Sequence, residues 1–445
     1  MKPIPLNVLA KMLKTRNRLQ KLIHGVAIDS RNIRYGDLFF ALPGEKVDGH
    51  SYLAEAASKG AAAAVVRRGS VKETGDLPLI FVDNVLDALQ DLARQVQAQR
   101  SSKVIAITGS LGKTTTKEFA AALLKSSYKI FSSPRSYNSQ ATLPLSLLMA
   151  DGDEDLLILE MGMSKPGEME KLVSIAPPDI AVITTVAIQH TCNFTDGLEG
   201  IYREKGKILS HPRTRLGIIH RDIVEHQSFK KFGNCKKIHF SLHSKEADYY
   251  LEITGSGVKI FQRDQPPIAI EISLPVKPLY QNYLAAVIIA RSCNVPWEKI
   301  AERSILLRLP PMRFERVEKK GVLFINDAYN ANPDSMKAAL EHLPPPKIGG
   351  KVIAVLGDMS DLGIYAESGH ASVAVSALKS ADLLFCIGDH CETMRKIWKE
   401  KNKDVELFDA KEKLLMRLKE SAKPGDVVLL KGSRIHALEK ILEGF

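Results

Sequence analysis

The segment VIAITGSLGKTTTKEFAAALL, residues 104–124, constrains the fold of this chain more than any other. An apolar run with strand character breaks into Gly-Ser-Leu-Gly, then resumes with helical spacing after a lysine and three threonines. Strand, glycine turn and helix in that order make a phosphate-binding loop. The glycines let backbone amides approach phosphate oxygens, and the helix N-terminus adds partial positive charge. The loop comprises Gly109, Ser110, Leu111, Gly112, Lys113, Thr114 and Thr115. In this reading Lys113 reaches the terminal phosphates of a nucleotide and the Thr114 hydroxyl ligates Mg²⁺. Ile107 stands where the commoner G-x-x-x-x-G-K-[ST] form has its first glycine, and a glycine turn with a chance Gly-Lys-Thr is the plain alternative.

A loop of this kind needs a parallel sheet around it. Short apolar runs at Val26–Ile28, Leu38–Leu42, Ala61–Val66 and Leu79–Val82 describe a small α/β unit, followed by the helix-like LDALQDLARQVQAQ. Runs at Leu156–Leu159 and Ile180–Thr184 continue the central unit, and residues 248–275 alternate about Gly-Ser-Gly as a β-hairpin insertion or edge would. The texture changes at LPPMRFERVEKKG, near Leu309. Strand–turn–helix rhythm then restarts with Val322–Ile325, Val352–Leu356, Leu383–Ile387 and Val427–Leu430. For 445 residues this organisation predicts three α/β domains, with boundaries at 1–85, 86–308 and 309–445.

Lysine and arginine (62) exceed aspartate and glutamate (51) by 11, which favours anionic partners. A nucleotide satisfies that preference, and no aromatic-plus-basic stripe points to nucleic acid. The five cysteines form no CxxC pair, which argues against a zinc ribbon and for reduced thiols in the cytoplasm. No apolar run reaches the ~18 residues of a membrane span.

In an open parallel sheet, ligands bind beyond the carboxyl ends of the strands. Glu160 ends one strand and His190 follows another, so topology brings both toward the phosphate loop as candidate Mg²⁺ ligands. Lys205 is an anomaly. If Asp196 caps a helix through Leu209, then Leu198, Ile201, Tyr202, Ile208 and Leu209 form an apolar stripe. Lys205 falls within it, off the charged face of Arg203, Glu204 and Lys207. An inward ammonium is costly, so either its pKa is depressed or its charge altered, or the lysine snorkels to solvent. In the last third, Asn326–Asn330, Gly357–Asp358 and Lys431–Arg434 end three strands and suggest a second polar edge.

Together with TGSLGKTTTKE, the segments IDSRNIRYGDLFFALPGEKVDGH, SYNSQATLPLSLL, LEMGMSKPGEMEKL, IQHTCNF, REKGKI, MRFERV, NDAYNANPDSM, VLGDMSDLG and KGSR give the chain a nearly end-to-end resemblance to the Mur ligases. These are ATP-dependent amide-bond-forming enzymes of peptidoglycan synthesis, and NDAYNANPDSM and VLGDMSDLG resemble the branch that adds D-alanyl-D-alanine. The resemblance implies an N-terminal UDP-sugar domain, a central parallel-sheet P-loop ATPase domain and a closing C-terminal Rossmann-like domain. It implies catalytic work for Lys113, Lys205, His190 and Arg313, with ATP contacts from Gly109 to Thr115, Asn282, Arg313 and Asp327. Two Mg²⁺ ions would be served by Thr114, Glu160, His190 and Lys205, the last as a carbamylated lysine. Asp29, Ser30, Arg31, Asp48, Gly49, His50 and Asn330 would meet the UDP-N-acetylmuramoyl-tripeptide, in a cytoplasmic monomer. Another branch of the family or a folylpolyglutamate synthase-like ligase is the alternative. The chain departs from the family pattern at Pro278-Leu279, Ser139, Thr142 and Lys207.

Overall fold

The computed structural model describes residues 2–15, 17–44, 47–71, 76–227, 229 and 232–445. Glu45 and Lys46, in the first of the resembling segments, lie outside them. The apolar runs form three α/β sheets, as their alternation with helices predicts. The first carries four parallel strands in the order Gly25–Ala27, Asp37–Phe40, Ala63–Arg67 and Leu79–Val82. The last has six, ordered Glu315–Lys319, Val322–Asn326, Val427–Lys431, Val352–Gly357, Leu383–Ile387 and Val405–Phe408. Glu315–Lys319 pairs antiparallel on its edge.

The central sheet has nine strands. Lys103–Thr108 lies between Ile180–Ile183 on one side and Leu156–Glu160 on the other, parallel to both. Chain direction thus diverges at its carboxyl end, the switch point where such sheets bind ligands. The expected hairpin is present as Tyr249–Thr254 and Gly257–Gln262, the seventh and eighth strands counted from Ile130–Ser132, toward one edge of the sheet. The phosphate-loop helix Lys113–Leu124 is pressed onto the sheet by the helix Lys277–Ser292. Ile105, Phe119 and Leu123 from the first pair meet Tyr283, Val287 and Ile288, all wholly buried. Each such side chain contributes about 1.5–3 kcal/mol. The loop therefore hangs from a rigid base.

The helix expected from Asp196 to Leu209 runs instead from Leu198 to Gly206, with a 3₁₀ turn at Lys207–Leu209. Gly197 takes φ +56°, which turns the chain so that Asp196 pairs with Arg203 at 2.6 Å rather than capping the helix. Glu204 also departs from the charged face. It is 3% exposed, accepting from the Met169 amide at 2.9 Å and from Lys207 at 2.9 Å, so a neighbouring helix sequesters it. Among the described residues, no helix is long and apolar enough to cross a membrane.

Candidate active site

At the switch point the chain leaves strand Lys103–Thr108 through two glycines in left-handed conformations, Gly109 and Gly112. Both positions exclude a side chain, and Gly112 does so at the face of the loop that opens to the ligand. Its φ is +80°, and a Cβ there would stand 2.1 Å from Asn282 Oδ1. The side chain from helix Lys277–Ser292 thus sits directly over the loop. Gly112→Ala is expected to destabilise the loop by more than the ~1–2 kcal/mol of the left-handed backbone alone, and to weaken nucleotide binding with it. Titration with an ATP analogue, beside a thermal melt, checks both effects. Lys113 folds back across the loop, donating to the Gly109 carbonyl at 2.8 Å. Burial, joined by the charge of Arg313, pushes its pKa below the ordinary lysine value against the pull of Glu160.

The loop opens into a cavity of about 790 Å³, the size range of small-molecule sites. Ser110, Leu111, Gly112, Lys113, Thr114 and Thr115 line it, together with Glu160, His190, Lys205 and Asn282. Gly109 lies beneath, against Thr184.

Glu160 is 1% exposed, at the end of its strand. Its carboxylate takes hydrogen bonds from Thr114 Oγ1 at 2.8 Å and Asn138 Nδ2 at 2.6 Å. Both partners are neutral, and among the described residues no cation pairs with it. A buried carboxylate so placed calls for a positive charge. With a hydroxyl at its side, it is an oxygen donor set suited to a hard divalent cation. His190 holds φ +59°, and its Nδ1 lies 3.2 Å from Asp361 Oδ2 of the last domain. Burial first, then the charges of Lys113 and Lys205, lower its pKa against the pull of Asp361. The neutral imidazole is the form that ligates a metal.

Lys205 is 3% exposed, so the open choice between inward burial and snorkelling goes to burial. Among the described residues its side-chain amine makes no hydrogen bond or ion pair. Burial, reinforced by the Lys113 charge, holds its pKa well below the usual value, Glu204 opposing.

The last domain supplies the opposite wall. Arg313 Nη2 lies 3.5 Å from Thr114 Oγ1, on a link strained at both neighbours, Met312 (φ +56°) and Phe314 (φ +54°). Left-handed residues of these types cost on the order of 1–3 kcal/mol each, strain that clusters at functional sites. Asp327 accepts from the Phe314 amide at 3.1 Å and from the buried Lys431 at 2.6 Å. Lys431 also holds the Asn330 carbonyl at 3.1 Å. Arg313, Asp327 and Asn330 all line the cavity.

The six first-domain candidates lie outside this cavity, grouped past the carboxyl ends of their own sheet. Asp29 caps the turn Ser30–Asn32 and chelates Arg31, its pKa lowered chiefly by that guanidinium. Ser30 donates to Glu55 at 2.8 Å. Asp48 caps the turn that begins at Gly49 and binds His50 Nδ1 at 2.6 Å, while His50 Nε2 accepts from the Arg67 amide. These are preorganised turns with Arg31 and Asp48 facing solvent.

Sequence reasoning assigned no individual role to four groups that the structure brings in. Asn138 orients Glu160, and Asp361 meets His190. Lys431 ties down the Asp327–Asn330 turn, and the Tyr329 ring lies under Arg313 with its centroid 4.0 Å from the guanidinium carbon. All stood within motifs already singled out, but each acts through a partner on a distant element.

Comparison with known proteins is consistent along the chain. The family model for the Mur ligase middle domain matches residues 107–290, that for the Mur ligase glutamate ligase domain 312–434, and that for the Mur ligase family catalytic domain 22–97. The chain is 32% identical over 430 residues to the UDP-N-acetylmuramoyl-tripeptide–D-alanyl-D-alanine ligase of Bacillus subtilis, covering 95% of this chain and 93% of that protein. Among solved structures, MurF ligase from Thermotoga maritima in complex with ADP matches with TM-score 0.76 at 29% identity, covering 94% of this chain and 96% of that one. MurF from Acinetobacter baumannii has the same fold, with TM-score 0.83 at 24% identity over 100% and 99% of the two chains.

Proposed function

The chain belongs to the Mur ligase family, and from that premise we propose that it joins D-alanyl-D-alanine to a UDP-N-acetylmuramoyl-tripeptide with hydrolysis of ATP to ADP and phosphate. The observation that carries this reading is the single cavity in which the phosphate loop and Glu160, His190 and Lys205 face Arg313 and Asp327. The tripeptide carboxylate attacks the γ-phosphorus, forming an acyl phosphate and releasing ADP. The dipeptide amine then attacks the acyl carbon. Phosphate leaves with the C–O bond electrons, and the amine loses its proton as the amide forms. Such transfers depend on alignment and charge neutralisation more than on covalent help from the protein.

Lys113 and Arg313 bring positive charge to the phosphates from opposite walls. Thr114, Glu160 and His190, with Lys205 as its carbamate, would hold Mg²⁺, which supplies further neutralisation when bound. Asn282, which lies over Gly112, contacts the nucleotide base in this reading, and Asp327 and Asn330, which line the cavity, contact ATP and substrate from the closing side. The turns at Asp29–Arg31 and Asp48–His50 receive the UDP moiety. In this reading the enzyme is a cytoplasmic monomer, and its five unpaired cysteines suit a reducing compartment. Mass spectrometry of a reaction holding ATP, the UDP-tripeptide and D-alanyl-D-alanine tests the proposal: a UDP-pentapeptide is expected, and its absence with an active preparation overturns the reading.

Arg313 and Asp327 reach the nucleotide only when the last domain is apposed to the phosphate loop. Arg313→Ala and Asp327→Asn are therefore expected to lower kcat by roughly 10²-fold while leaving the UDP-substrate Kd nearly unchanged. Steady-state kinetics beside calorimetric binding checks the split.

A further inference from the structure

We propose that Tyr329 is a positioning residue whose ring holds Arg313 against the phosphate loop without neutralising it. The inference rests on the reading of Arg313 as a phosphate contact. Two arginines of the last domain line the cavity, and they are held in opposite ways. Arg434 is clamped by Glu439 through two bonds of 2.7 and 2.8 Å, so its charge is matched before any ligand arrives. Arg313 has no carboxylate partner among the described residues. Its guanidinium carbon lies 4.0 Å from the centroid of the half-buried Tyr329 ring, and its Nη2 points toward Thr114.

The difference matters for binding an anion. A carboxylate that fixes an arginine takes up its donors and cancels its charge. An aromatic face fixes it by attraction of the cation to the ring quadrupole, and leaves the in-plane N–H donors free for phosphate oxygens. The support is itself anchored. Lys431 bonds the Asp327 carboxylate at 2.6 Å and the Asn330 carbonyl at 3.1 Å, bracketing Tyr329 on both sides, and Asp327 bonds the amide that follows Arg313. The ring and the guanidinium are thereby carried on one hydrogen-bonded unit.

The test is a double-mutant cycle in the full-length enzyme, read as kcat/KM for ATP at saturating UDP-tripeptide and dipeptide. Tyr329→Leu removes the π face at similar bulk and is expected to lower kcat/KM roughly tenfold. Tyr329→Phe keeps the face and is expected to recover most of that loss. In an Arg313→Ala background, Tyr329→Leu is expected to cost less than about twofold, because the group it serves is gone. Equal losses for Leu and Phe, or losses that multiply in the double variant, would overturn the proposal while leaving the Arg313 reading intact. Full activity of Arg313→Ala alone would overturn both. Should the Leu variant fail to fold, Tyr329→Met carries the same comparison, with melting temperatures reported for every variant.

Discussion

Lys113→Ala is expected to reduce turnover by roughly 10²–10³-fold, the scale of removing one preorganised electrostatic contact to a charge-shifting transition state. Among the described residues the ammonium's hydrogen bonds stay within its own loop, to the Gly109 and Ser110 carbonyls at 2.8 and 3.4 Å. Its removal forfeits about one net hydrogen bond, on the order of 1 kcal/mol of stability, so a catalytic loss far beyond that is not an unfolding effect. UDP-substrate binding should survive, since the Asp29–Arg31 and Asp48–His50 turns lie on a different sheet outside the cavity. Parallel measurement of kcat and of the UDP-substrate Kd by calorimetry separates the two sites. Near-normal turnover would remove the phosphate loop from the mechanism.

The second large effect concerns Lys205. A buried amine without an anionic partner among the described residues, its pKa pushed down by burial and by the Lys113 charge, would react with CO₂ in the proposed modification: the nitrogen lone pair attacks carbon, a proton leaves, and a carbamate remains. That converts a poor occupant of the site into an oxygen ligand. The sign of the pH dependence follows from the lowered pKa. The reactive amine persists well below the pH at which an ordinary lysine would be protonated, and carbamylation fails only as pH drops through the depressed value. Lys205→Ala is expected to cost roughly 10²–10³ in rate. Glu is too short to restore it, while added short carboxylic acids should recover part of the activity by filling the vacated oxygen positions. A ¹³C carbamate resonance after labelling with ¹³CO₂, absent in the Ala variant, is the expected signature. A bare amine in fully active enzyme would contradict it.

Much of the fold is legible in the sequence. Parallel strands buried on both faces appear as continuous apolar runs, so the runs Leu156–Leu159 and Val427–Leu430 match the strands Leu156–Glu160 and Val427–Lys431 to within a residue. Edge elements escaped: Glu315–Lys319, with alternate residues facing solvent and four of five charged, has no such run. Lys205 stands out on an apolar stripe because the helical spacing of its own neighbours draws that stripe, although spacing alone leaves burial and snorkelling open. Glu204 does not stand out, since its burial depends on the Met169 amide of another helix. Likewise the contacts of Tyr329 with Arg313 and Asp361 with His190 join residues 16 and 171 positions apart, the first set by how one domain folds back on itself and the second by how two domains meet, neither by local pattern.

The most direct test of the ligase account is phosphate release with one component omitted at a time. With ATP, the UDP-tripeptide and D-alanyl-D-alanine all present, phosphate should appear in a steady state, one per amide bond formed. Omitting either amino-acid-bearing substrate should abolish sustained release. Phosphate release that proceeds unchanged without the dipeptide and the UDP-tripeptide would contradict the account, because the cavity would then hydrolyse nucleotide without making a bond.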